Sequence, residues 1–126
     1  MTALADTSIF IAQELGRALH GNPPSDIAVS TVTIGELRLG VLAAEDVATR
    51  HRRLSTLEIA LLVEPLSIDE GVANAWAGLI AALREQGKRM PINDSWIAAT
   101  AIAHNMPVVT QDDDFASTPG LEVIRL

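Results

Sequence analysis

Residues 93–110 read NDSWIAATAIAHNMPVVT, and no other stretch limits the fold as tightly. Residues 93–105 make a helix that is apolar on nearly every side, so it must be covered all round. A short HNMP link then delivers the chain to PVVT, a four-residue apolar strand. A buried helix feeding a buried strand needs a sheet against it and further protein beyond. The rest of the chain alternates in the same way. TALAD (2–6) is too short for a helix and reads as a first strand ending at Asp6, and TSIFIAQELGRALHG (7–21) reads as an amphipathic helix. GNPPSD is a turn by composition. IAVS (27–30) is a brief strand, followed by helices over 31–44 and 45–62, with a third strand around Leu62 and Val63 ahead of Pro65. Residues 67–87 form the clearest helix, with Ser67 and Glu70 at capping-box spacing and Val72, Trp76, Leu79, Ile80 and Leu83 on one face. LEVIRL closes as a last strand. Strands alternating with helices predict an α/β fold with a parallel sheet covered on both faces.

The totals set outer limits. A chain of 126 residues, 48% of them hydrophobic, is read as one domain, 1–126, with a single core. Aromatic residues make up 3%, too few for a base-stacking platform. The absence of cysteine excludes disulfides, thiolate metal sites and a cysteine nucleophile, and fits a reducing compartment. No apolar run reaches the ~18–20 residues that span a bilayer. The first residues include acidic Asp6 and no basic segment, unlike a signal peptide. The expected location is the cytoplasm. A net charge of -7 argues against broad electrostatic attraction to nucleic acid. The cations are clustered, however: Arg50, Arg52 and Arg53 in one group, Arg84, Lys88 and Arg89 in another.

Against that charge, VVTQDDDF places Asp112, Asp113 and Asp114 directly after an apolar strand. Two like charges about 4 Å apart repel by roughly 4 kcal/mol at an effective dielectric near 20. In a parallel sheet the carboxyl ends of the strands share one edge, where open α/β folds bind ligands. Asp6 ends the first strand, Glu36 lies in the first turns of the helix after IAVS, Asp94 opens the buried helix, and Asp112 and Asp114 follow PVVT. All are expected on that edge. Each has a plainer reading: Asp6 as a helix cap, Thr33 with Glu36 as a capping box, Asn93 or Asp94 as an N-cap, and 112–114 as a solvated turn. Helix starts favour acids in any case. The apolar flanks tip the balance, because buried carboxylates without counter-charge are costly and few cations lie nearby in sequence. A hard divalent ion would supply the charge; Mg²⁺ takes oxygen ligands, and Mn²⁺ is compatible with the same set. Zinc is disfavoured, since His20, His51 and His104 lack ligand spacing.

ADTSIFIA, VTIGELRLG, INDSWIAATAIAHNMPVVTQDDDF and a short final strand, in that order, resemble the PIN-domain proteins, and among them the VapC toxins of type II toxin–antitoxin systems. The resemblance covers essentially the whole chain. It implies a PIN-like three-layer α/β/α sandwich and an endoribonuclease dependent on Mg²⁺, with Mn²⁺ able to substitute. It also implies an RNA substrate, a homodimer and a VapB-type antitoxin. Carried over by motif, Asp6, Glu36, Asp94 and Asp112 are the catalytic, metal-holding acids. Asp114 is a secondary ligand, so that the fourth acid is Asp112, Asp114 or both. Asp113 is assigned to solvent. Ser8 and Thr110 are supporting polar residues, and Arg38, Arg84, Lys88 and Arg89 are candidate RNA contacts. Carboxylate-held metal would activate water and offset charge on the scissile phosphate, leaving a 5′-phosphate and a 3′-hydroxyl. Asp94 or Asp6 is the candidate proton acceptor. Two rivals stand beside this reading. One is a catalytically silent PIN-like binding module, which an intact set of acids opposes. The other is a Mg²⁺-binding receiver-like signalling domain, which needs an early acidic pair and a lysine after a late strand, whereas Lys88 precedes the last two strands. Apolar faces on the helices around 51–62 and 74–84 are expected to leave a patch for a dimer or antitoxin contact.

Overall fold

The computed structural model describes residues 1–126. Its strands are β1 (Thr2–Ala5), β2 (Asp26–Val29), β3 (Val108–Thr110) and β4 (Val123–Arg125). Its helices are α1 (Thr7–Glu14), α2 (Thr31–Ala43), α3 (Val47–Ala60), α4 (Glu70–Glu85) and α5 (Ile92–Ala103). The four strands pair in the order β2-β1-β3-β4, all parallel. Leu4 pairs with Val108 and Ala28 across the two central ladders.

Side chains alternate across the pleat and divide the core in two. Ala3, Ala5 and Val109 face α1, α2 and α3, where they meet Ile9, Phe10, Leu37 and Leu57. Leu4 and Val108 face α4 and α5, against Leu79, Leu83, Ile97, Ala98 and Phe115. The result is the three-layer α/β/α arrangement. Burial of each large apolar side chain contributes roughly 1.5–3 kcal/mol, so the sheet is held from both faces. As its composition requires, α5 is the most enclosed helix, with Ser95 and every residue from Ile97 to Ala101 buried. Trp96 stacks on Trp76 of α4 at 4.4 Å between ring centroids, and the Trp76 indole N–H donates to Ser95 Oγ at 3.0 Å.

Four local expectations are corrected. First, α1 stops at Glu14 and does not run on to residue 21. Gly16 turns to φ +69°, and the Arg17 and Gly16 N–H groups return to Ala12 and Gln13 carbonyls at 2.8 and 3.3 Å, closing the helix in a Schellman motif. Second, no strand forms at Leu62 and Val63, which are exposed. The chain touches the sheet only later, where Leu66 bridges Ser30 beside β2. Third, the N-cap of α4 is Asp69, whose Oδ1 accepts from the Val72 N–H at 2.9 Å, so the Ser67–Glu70 spacing is not used as a box. Fourth, Ser30 caps α2 by accepting from Val32 N–H at 3.1 Å, which frees Thr33 and Glu36 for other partners.

Candidate active site

β1 connects through α1 to β2 on one side of the sheet, whereas β3 leads to β4 on the other side. The chain therefore changes direction between β1 and β3, and a crevice opens beyond their carboxyl ends. Asp6 leaves β1 and Asp112 follows β3, so these acids flank that crevice.

Asp6 occupies the N-cap position of α1, yet its side chain caps nothing. Its Oδ1 accepts from Ser8 Oγ at 2.6 Å and its Oδ2 from Thr110 Oγ1 at 2.7 Å. The Ser8 and Thr110 hydroxyls are its main partners, with the Ile9 N–H in the first turn of α1 a weaker influence on the carboxyl. The two hydroxyls are themselves held: Ser8 Oγ accepts from the Gln111 N–H, and Thr110 Oγ1 from the Asp112 N–H, both at 2.9 Å. The result is a carboxylate locked between β1 and β3 with 2% of its surface exposed. Glu36 is fixed from α1, since Thr7 Oγ1 donates to its Oε1 at 2.6 Å. Asn93, at the start of α5, reaches Glu36 Oε2 at 3.5 Å. Asp94 sits in the first turn of α5, whose N-cap is Pro91; neither Asn93 nor Asp94 caps it.

Asp6, Glu36, Asp94 and Asp112 line one cavity of about 220 Å³ together with Thr7, Ser8 and Arg17. Larger hollows exist, of about 560 Å³ beside Arg84, Lys88 and Arg89 and about 280 Å³ between α1, α2 and α3. Neither gathers acids in this way, so size does not identify the chemistry here. Asp114 stands outside the lining but beside Asp94. Asp113 is on the surface as expected, though paired with Arg125.

The electrostatics follow from this crowding. Burial pushes the Asp6 carboxyl up from 3.8 to about 6, against the lowering effect of the Ser8 and Thr110 hydrogen bonds. Asp94 is pushed up to about 7, first by burial, then by the neighbouring Asp114 carboxyl, then by Asp6 and Glu36. Asp112 is also raised, by burial and by Asp114, while Arg125 and Arg17 oppose the shift. Three carboxyls with raised pKa values, crowded against one another and lined up with Glu36, form a site short of positive charge. No three carboxylates converge tightly enough to ligate one ion directly. The all-oxygen donor set and the shortage of cations fit a hard divalent ion, which Asp6 and Asp94, the most confined of these carboxylates, would hold. His20, His51 and His104 are exposed and lie outside the cavity.

Of the cations singled out in the sequence, Arg38 is exposed on α2 and does not line the acid cavity. Arg84, in the last turn of α4, and Lys88 and Arg89, on the loop leading into α5, line their own hollow. Sequence reading missed Arg17. Its signal was Gly16, a helix stop read through as part of a longer helix.

The PIN domain matches residues 3–121. Ribonuclease VapC4 of Mycobacterium tuberculosis is 52% identical, over 98% of this chain and 96% of its own. Ribonuclease VapC5 of the same organism is 48% identical, over 96% and 93%. The crystal structure of VapBC-5, a member of the VapBC family of toxin-antitoxin systems from Mycobacterium tuberculosis, superposes with a TM-score of 0.86 at 43% identity, over 99% of this chain and 98% of that one. With fold, acidic rim and relatives in agreement over nearly the full length, the chain belongs to the PIN-domain family, among the VapC ribonucleases.

Proposed function

We propose that this protein is the toxin of a type II toxin–antitoxin pair, an endoribonuclease that hydrolyses structured cellular RNA at the Asp6–Glu36–Asp94–Asp112 site. PIN-domain VapC ribonucleases are metal-dependent in general; for this chain the ion is Mg²⁺, with Mn²⁺ able to substitute. The observation that carries the reading is the convergence of these acids, from four separate elements, on one cavity at the switch point of the sheet.

When bound, the ion supplies Lewis acidity toward the scissile phosphate and offsets its charge. Asp6, immobilised by Ser8 and Thr110, gives that ion a fixed anchor. Asp114 is a secondary ligand through its place beside Asp94. Asp94, at the start of α5 beside Asp6, is the candidate to accept the proton of an attacking water. Glu36, steered by Thr7, would complete the acidic lining around the ion. Arg84, Lys88 and Arg89 contact flanking phosphates. Arg89 precedes Asp94 by five residues, so their backbones lie no more than about 18 Å apart.

The VapB-type antitoxin docks in the groove between α1, α2 and α3. Ile11 and Glu36 line both that groove and the acid cavity, so an occupant of one borders the other. Exposed apolar residues lie on α2 and α3, including Leu39, Leu42 and Ile59, while α4 exposes no large one. The patch expected on the helices around 51–62 and 74–84 is thus shifted onto α2 and α3. The chain works as a homodimer of single-domain subunits in the cytoplasm; no helix is long and apolar enough to cross a membrane.

The test compares RNA cleavage by the wild type, Asp6→Asn and Asp94→Asn in Mg²⁺ and in EDTA. Cleavage in Mg²⁺ leaving 5′-phosphates, abolished by EDTA and reduced about a hundredfold or more in each variant, is the expected result. Full activity in either variant defeats the proposal.

A further inference from the structure

Arg17 is the one cation lining the acid cavity. An arginine facing carboxylates would be expected to dock on one of them, as Arg125 does on Asp113. Arg17 does not: the chain's salt bridges are Arg52–Glu14 and Arg125–Asp113, and no hydrogen bond engages its side chain. Arg50 and Arg53 are tied to the carbonyls of Ala44 and Gly40. The cations left without a partner are therefore Arg17, Arg38, Arg84, Lys88 and Arg89, and of these only Arg17 lies at the acids.

Its backbone is held there. The Schellman motif at the end of α1, with Gly16 at φ +69°, sets the direction in which the chain leaves the helix. Gln111 then donates from Nε2 to the Ala18 carbonyl at 3.1 Å, strapping the segment to the loop that carries Asp112. Both anchors act on the main chain and leave the guanidinium uncommitted. Arg17 lines the same cavity as Asp6, Glu36, Asp94 and Asp112.

We propose that Arg17 is a substrate-contacting residue that holds a backbone phosphate of RNA next to the bond being cut. The inference rests on the ribonuclease reading above and names the chain's own cation at that site. RNA approaching a protein of net charge -7, through a mouth lined by four acids, meets repulsion that a metal ion only partly offsets. A guanidinium matches two phosphate oxygens with parallel N–H donors, and an unpaired one surrenders no internal ion pair on binding. A phosphate held at the cavity mouth sets the register of the strand, leaving the neighbouring linkage over Asp6 and Asp94.

The experiment uses the full chain in four forms: wild type, Arg17→Ala, Arg17→Lys and Gln111→Ala. Cleavage of total bacterial RNA is timed at the strongest wild-type site. Binding of a fluorescein-labelled oligoribonucleotide spanning that site is followed by anisotropy, with all forms placed in an Asp94→Asn background to prevent turnover. Mn²⁺ affinity is measured by calorimetry without RNA. Arg17→Ala is expected to weaken RNA binding about tenfold and to lower the slope of log K against log salt by about 0.7, the release expected for one single-strand phosphate. Arg17→Lys should recover most of the salt slope but less of the cleavage rate, and Gln111→Ala should fall between wild type and Arg17→Ala. Mn²⁺ affinity should be unchanged or tighter. Unchanged RNA affinity and slope in Arg17→Ala, while the wild type cleaves, overturns the proposal and leaves the ribonuclease reading intact. Weakened Mn²⁺ binding with unaltered RNA binding likewise overturns it, assigning Arg17 to the support of the acids. Absence of any metal-dependent cleavage by the wild type overturns both readings.

Discussion

Thr110 shows how one hydroxyl can organise an acidic site. It donates to Asp6 Oδ2 and accepts from the Asp112 N–H, linking the end of β1 to the loop after β3. Thr110→Val keeps the shape but leaves a buried carboxylate oxygen and an N–H without a partner. The expected cost is about 1–3 kcal/mol in urea unfolding, with weaker metal binding. The raised pKa values give a second prediction. Asp6 at about 6 and Asp94 at about 7 hold protons in the folded chain that the unfolded chain, near 3.8, has already released. The folded state therefore binds more protons between about pH 4 and pH 7, and stability falls as pH rises through that window. Metal-free protein should be about 1–3 kcal/mol more stable at pH 5 than at pH 8, and Asp94→Asn should flatten the dependence. Equal stability at the two pH values would count against an uncompensated acidic cluster. At this scale Asp6 and Asp112 were legible because they closely follow apolar strands, and Asp94 because it opens an apolar helix. Glu36 was legible from its place in the first turns of α2. Arg17 was not, because its role depends on where a helix stops and on what its side chain does not pair with.

Among the elements, the short apolar strands and the enveloping helices were readable from local pattern alone. Strand order was not: nothing local to DIAV or VIR distinguishes β2-β1-β3-β4 from another parallel order, yet that order sets the crevice between β1 and β3. Caps were misread where several polar side chains compete, as with Ser67, Asp69 and Glu70, since the winner depends on the angle at which the chain enters the helix. The third strand failed because apolar residues after α3 reach the surface before the chain returns to the sheet at Leu66. Two substitutions separate scaffold from site. Asp69→Ala removes the cap of α4 and should cost about 1 kcal/mol by thermal or urea unfolding without changing RNA cleavage. Gly16→Ala forces a Cβ into the left-handed region at a position with open space around it. It should cost about 1–2 kcal/mol of stability and, by moving Arg17, weaken RNA binding as well.

Taken as a whole, the molecule keeps its negative charge where a cation can use it and its unpaired positive charge where phosphates can reach it. The acids sit at one sheet edge, Arg17 lines their cavity, and Arg84 at the end of α4 with Lys88 and Arg89 on the following loop line a separate hollow. The groove between α1, α2 and α3 adjoins the same cavity, so inhibition by a docked partner requires no long-range conformational signal. Each of these readings depends on a divalent ion among the carboxylates. The direct measurement is anomalous scattering from a crystal soaked in Mn²⁺. The account expects a single strong peak, or a close pair, within the cavity bounded by Asp6, Glu36, Asp94 and Asp112. A cavity without such a peak, or manganese bound only elsewhere on the surface, would contradict it.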